Sequence, residues 1–121
     1  MNIKKIAHRV LSSEYIKKIP EGVGIEFDVH AFNKEIVVAH EPFTTGISLP
    51  DFLKMAGNRF LAVNIKEEGI EEETIKIIKN ISSSEFFLFD VNPPQIFRIG
   101  EKYSNNLAFR ISQLESIDFK K

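Results

Sequence analysis

Apolar residues gather in short blocks separated by polar joins, and their spacing alternates between that of strands and that of helices. Residues 4–8 begin a short buried strand, and residues 12–18 begin like a capped helix with Pro20 beyond its end. Residues 24–32 (GIEFDVHAF) are rich in strand formers, and the polar link Asn33-Lys34-Glu35 leads to the apolar run at 36–39. So short a link cannot make a parallel crossover, and an antiparallel hairpin is expected. A helix is expected over residues 49–55, with Pro50 in its first turn, and a strand over 60–65. Ile70, Thr74, Ile77, Ile78 and Ile81 then repeat at helical spacing, with Glu72 and Lys76 paired on the exposed side. A strand at 86–89, a helix from Pro93-Pro94 to about Tyr103 and a last strand at 107–111 complete the pattern.

Strand and helix in alternation, with short joins, predict a mainly parallel α/β sheet with right-handed crossovers. Five strands alternating with helices fit an open sheet. They also fit the first five-eighths of a (β/α)₈ barrel, which needs roughly 250 residues when whole. The pattern alone does not choose.

The 121 residues suit one domain, and 43% hydrophobic with 27% charged residues is a globular balance. A formal net charge of −1 argues against a general nucleic-acid grip. Cysteine is absent, which excludes disulfides and thiolate chemistry and permits a cytoplasmic location. No apolar run approaches the roughly 20 residues of a membrane span, and no signal-peptide core is seen. A cytoplasmic protein without a transmembrane segment is expected.

Polar residues at strand ends narrow the chemistry. His8 and Arg9 close the first strand, Glu26 and Asp28 stand two apart on the second, and His40 and Glu41 close the returning hairpin strand. Asn64 and Lys66 are again two apart, and Asp90 ends the strand at 86–89. α/β folds build their sites at such C-terminal strand edges. Two histidines suit general acid and general base work, and a Glu-x-Asp pair offers hard oxygen ligands for Mg²⁺ or Ca²⁺. Arg and Lys can clamp a phosphate. Together these are the parts for metal-assisted phosphodiester cleavage. His30 is expected in an exposed loop, and the eleven phenylalanines in strand and core packing.

At these residues the sequence resembles the glycerophosphodiester phosphodiesterase family, whose superfamily includes phosphatidylinositol phospholipases C. The likeness runs through Ile6-Ala7-His8-Arg9, Glu26-Phe27-Asp28-Val29, Val37-Val38-Ala39-His40-Glu41 and Asn64-Ile65-Lys66, in the family's order. Asn-Ile-Lys and the later Phe89-Asp90 are similar to an uncharacterised bacterial branch. The resemblance implies a TIM-type (β/α) barrel of which about five of eight strands are present, an incomplete barrel in one domain over residues 1–121. It implies His8 and His40 as the acid–base pair, Arg9 and Lys66 as phosphate contacts, and Glu26, Asp28 and Asn64 as ligands of a divalent metal, Mg²⁺ or Ca²⁺. The implied activity is metal-dependent hydrolysis of a phosphoric diester, with a small-molecule or lipid-headgroup phosphodiester as partner and no nucleic acid.

Three positions depart from the family: Val10 stands where it has glycine, Glu41 where it has aspartate, and Asn64 where it has a third acidic ligand. A five-stranded part of a barrel would leave unpaired edges, so a second copy or a companion chain is expected to complete the sheet. The alternative expectation is a catalytically inactive barrel remnant or fragment that binds a partner chain or a phosphorylated ligand.

Overall fold

The computed structural model describes residues 5–41 and 45–91, and its elements alternate less regularly than the sequence suggests. They follow as β1 (Ile6–Ala7), α1 (Ser13–Lys18), β2 (Gly24–Phe32), β3 (Glu35–Val38), β4 (Ile47–Ser48), α2 (Leu49–Ala56), β5 (Leu61–Ile65), α3 (Glu71–Ile81) and β6 (Phe86–Phe89). The helix expected from Pro93 and the strand expected at 107–111 lie outside the described residues.

Local chemistry sets the element ends. The Tyr15 N–H donates to the Ser12 hydroxyl (3.1 Å) and the Asp51 N–H to the Ser48 hydroxyl (3.3 Å), so α1 and α2 each start on a serine cap. Pro50 lies in the first turn of α2, where its missing N–H costs nothing. Before α3 the chain turns at Gly69, with φ +103°, and the Gly69 N–H donates to the Glu71 carboxylate at 2.9 Å. The β2–β3 hairpin closes through Asn33 and Lys34, both in the left-handed region with φ 52° and 68°. Two such residues make the turn whose twist matches antiparallel strands, which is why Phe32 pairs with Glu35 across it.

The strands form one six-stranded mixed sheet in the order β4-β3-β2-β5-β6, with β1 attached to β2. β2 is its spine. One edge of β2 carries β1, parallel at Gly24 and Ile25, and then β3, antiparallel from Val29 to Phe32; the other edge carries β5, parallel from Ile25 to Val29. β5 pairs in parallel with β6, and β3 pairs antiparallel with β4.

The incomplete TIM-type barrel is therefore not the fold. A barrel of that type needs strands that are all parallel, each followed by a helix. Among the described residues no helix separates β2, β3 and β4, and two of the five strand pairings are antiparallel. Gly46 makes the second return possible, because a Cβ there would collide with the Val38 carbonyl oxygen. The described residues form an unclosed sheet that starts at β4 and ends at β6.

The alternation of β2 separates the two faces of the sheet. Ile25, Phe27 and Val29 join Leu61, Val63 and Leu88 in the hydrophobic core, together with Ile16 of α1, Phe52 and Leu53 of α2, and Ile75 and Ile78 of α3. All three helices thus cover this face, and the Phe27 and Phe52 rings meet at 4.6 Å between centroids. Burial of each such side chain contributes roughly 1.5–3 kcal/mol. α3 turns slightly from its expected face: Ile75 is buried, whereas Ile81 is 38% exposed in the last turn. The other face carries Glu26, Asp28 and His30 on β2, Ala62 and Asn64 beside them on β5, and Phe87 and Phe89 on β6. At the N-terminal ends of β2 and β5, the Arg59 guanidinium donates to the carbonyls of Ile19, Pro20 and Val23 at 2.8–2.9 Å and holds the end of α1 in place.

Candidate active site

The chemistry gathers further along β2, where β1 and β5 end and the antiparallel β3 returns to the level of Val29. Three backbone bonds tie the outgoing segments to the spine. The Val10 N–H donates to the Glu26 carbonyl (2.8 Å), the Ala39 N–H to the Asp28 carbonyl (3.1 Å), and the Lys66 N–H to the Val29 carbonyl (3.1 Å). Each tie stands beside a residue singled out from the sequence: Arg9 before Val10, His40 after Ala39, and Lys66 itself.

The turn after β1 is made by Arg9, whose φ of 52° lies in the left-handed region. Val10 then enters the core with no exposed surface. A glycine at position 10 is therefore not needed for this turn: the unusual dihedral falls one residue earlier, and Val10 anchors the loop through packing. The His8–Arg9 segment is held from both sides, by the two-residue β1 and by the buried valine.

Two imidazole–carboxylate pairs result. The His8 Nδ1–H donates to Glu26 Oε1 at 2.8 Å, and the Arg9 backbone N–H donates to the same oxygen at 3.2 Å. The His40 Nδ1–H donates to Asp28 Oδ2 at 2.7 Å. A carboxylate can only accept, so each pair fixes the proton of its ring on Nδ1 and leaves Nε2 at the far edge to exchange protons. The pairs differ in depth. The His8 side chain is 81% exposed, while the Asp28 side chain beneath His40 is 5% exposed.

His8, Arg9, Glu26, Asp28, His40, Asn64 and Lys66 line one cavity of about 410 Å³. These are all seven of the residues expected in the site. Neither the Arg9 guanidinium nor the Lys66 ammonium has a side-chain partner among the described residues. With both rings neutral, the two cations and two carboxylates sum to zero, and one proton on either imidazole makes the cavity cationic. Such a cavity can hold one anionic group among proton donors.

Asn64 stands beside Asp28 in the β2–β5 register, is 8% exposed, and its Oδ1 is buried without a hydrogen-bond partner among the described residues. An unpartnered buried amide oxygen suits a cation or a donor of the ligand. Among the described residues no three His, Asp or Glu side chains form a group able to hold a metal ion. A divalent cation would thus rest on the second oxygens of Asp28 and Glu26 and on the Asn64 carbonyl.

Asp90 ends β6 next to this edge with φ 63° and is exposed, but it does not line the cavity. His30 differs from expectation. It is part of β2, only 4% exposed, with Nδ1 against the Ala31 carbonyl at 3.1 Å and Nε2 buried without a partner among the described residues. The hairpin turn begins only at Asn33, so His30 falls inside the sheet on the face of Glu26 and Asp28. The two-residue alternation Glu26, Asp28, His30 was the signal that could have placed it there.

No helix among the described residues is long and apolar enough to cross a membrane. No family model, no curated protein and no solved structure matches the chain.

Proposed function

We propose that this chain is a phosphoric diester hydrolase of the glycerophosphodiester phosphodiesterase type, acting in the cytoplasm on a small-molecule or lipid-headgroup diester. One observation carries this reading: two imidazole–carboxylate pairs and two cationic side chains that have no side-chain partner among the described residues line a single cavity.

Arg9 and Lys66 bind the non-bridging oxygens of the diester and offset its charge. One imidazole, through Nε2, takes a proton from the attacking water as a new P–O bond forms. The other gives its proton to the alcohol oxygen as the old P–O bond breaks. Glu26 and Asp28 hold the two rings in the tautomer this requires and stabilise each ring while it is cationic. The four residues thus act as two relays, one on each side of the phosphorus. When bound at Asp28, Glu26 and Asn64, a divalent cation supplies Lewis-acid polarisation of a phosphoryl oxygen, and an all-oxygen donor set suits Mg²⁺ or Ca²⁺.

The test is turnover of a panel of glycerophosphodiesters, followed by ³¹P NMR as the diester resonance gives way to that of a monoester. Conversion that depends on protein concentration is expected. A diester signal that persists at high protein concentration, with and without added Mg²⁺ or Ca²⁺, would remove the hydrolase reading.

A further inference from the structure

The face of the sheet that carries the site holds two buried polar atoms without hydrogen-bond partners among the described residues, His30 Nε2 and Asn64 Oδ1. Both flank Asp28. His30 follows it by two residues on β2, so the two side chains leave the same face, and Asn64 is its register partner on β5. Asp28 gives only Oδ2 to His40. Glu26 differs, because its Oε1 receives both the His8 ring and the Arg9 backbone N–H.

An acceptor taken out of water without a donor is left uncompensated, which destabilises the fold. Two such atoms on either side of one carboxylate are therefore unusual in a well-packed sheet. Their types are also specific. The Nδ1–H of His30 points to the Ala31 carbonyl, which leaves Nε2 as a lone-pair donor, and a carboxylate and an amide oxygen complete the row. A nitrogen and two oxygens at neighbouring positions of adjacent strands are the donor types that a borderline divalent cation takes.

We infer that His30, Asp28 and Asn64 bind a divalent cation, with His30 Nε2 as the nitrogen ligand. The imidazole shifts the preferred cation from Mg²⁺ or Ca²⁺ toward borderline ions such as Zn²⁺, which accept nitrogen and oxygen together. The second oxygen of Asp28 bridges the row to His40, so the same carboxylate orients the ring and holds the ion. This rests on the cation in the proposed function, and it replaces Glu26 with His30 in the ligand set.

Calorimetric titration of the full chain with Zn²⁺, repeated with Mg²⁺, tests it without reference to turnover. Binding of one Zn²⁺ per chain is expected, with at least a tenfold loss of affinity in His30→Gln and in Asn64→Leu, and no comparable loss in Glu26→Gln. Circular dichroism melts establish that each variant is folded. In the unaltered chain, the ¹⁵N resonance of His30 Nε2 should move on addition of Zn²⁺ while those of His8 remain in place. Zn²⁺ binding that leaves the His30 resonance unmoved and persists in His30→Gln would overturn the inference and keep an oxygen-only site. Absence of binding by either ion would overturn this inference together with the cation in the proposed function, while ³¹P-detected hydrolysis would still stand.

Discussion

His8–Glu26 and His40–Asp28 are the same chemical device built at two depths. Their hydrogen bonds are 2.8 and 2.7 Å long, yet the side chains are 81% and 19% exposed in the first pair and 34% and 5% in the second. The difference follows from the strands that bring them together. β1 touches β2 over two residues and releases His8 at the rim, whereas β3 pairs with β2 over four and delivers His40 directly after a bonded Ala39. A charge pair in water is worth little and is screened by salt, while a desolvated carboxylate must keep its partner. The outer pair can thus be altered for function alone. The inner pair is also part of the fold.

That contrast can be broken most forcefully at the rings. His8→Ala and His40→Ala should each lower turnover by about 10²–10⁴-fold, the usual contribution of a general acid or base. Initial rates on a glycerophosphodiester measure this, and equal activity in either variant would take that ring out of the chemistry. Stability should then divide the pairs. Asp28→Ala, which leaves His40 without its acceptor, should cost about 1–3 kcal/mol in urea unfolding, whereas Glu26→Gln should stay within about 1 kcal/mol. Similar losses in both would contradict the difference in depth.

The smallest effects sharpen the comparison through the backbone. Arg9 and Lys34 both hold left-handed dihedrals, with φ 52° and 68°, beside the outer pair and in the hairpin that carries the inner one. Lys34→Gly relieves that strain at an exposed turn and should stabilise by up to about 1 kcal/mol with turnover unchanged. Arg9→Gly relieves the same strain but removes the proposed phosphate contact, so KM should rise while the melting temperature holds or increases. An Arg9→Gly variant with an unaltered KM would show that the guanidinium does not meet the substrate.

The sequence was legible where one residue type decides a local geometry. Ser12 and Pro50 marked helix starts, the short Asn33-Lys34 link gave the hairpin, and Glu26 and Asp28 shared a face because side chains alternate along a strand. It was misleading where non-local pairing decides. The two-residue β4 has almost no signal of its own and forms because Gly46 allows the chain to fold back on Val38. With β3 and β4 antiparallel, the regular alternation that suggested a barrel was lost. Val10 looked like the loss of a needed glycine, and the backbone moved the turn to Arg9 instead. His30 looked like a loop residue beyond Asp28 although the expected strand at 24–32 already contained it, and the turn begins only at Asn33.

The central claim is that the two pairs are halves of one catalytic device, and a double-mutant cycle on turnover addresses it directly. Groups that act on the same proton-transfer path are far from additive, since removing either one already disables the path. The His8→Ala, His40→Ala double variant should therefore be no more than a few-fold slower than the weaker single variant. A double variant whose loss equals the product of the two single losses would show two independent sites and contradict the assignment of both rings to one reaction.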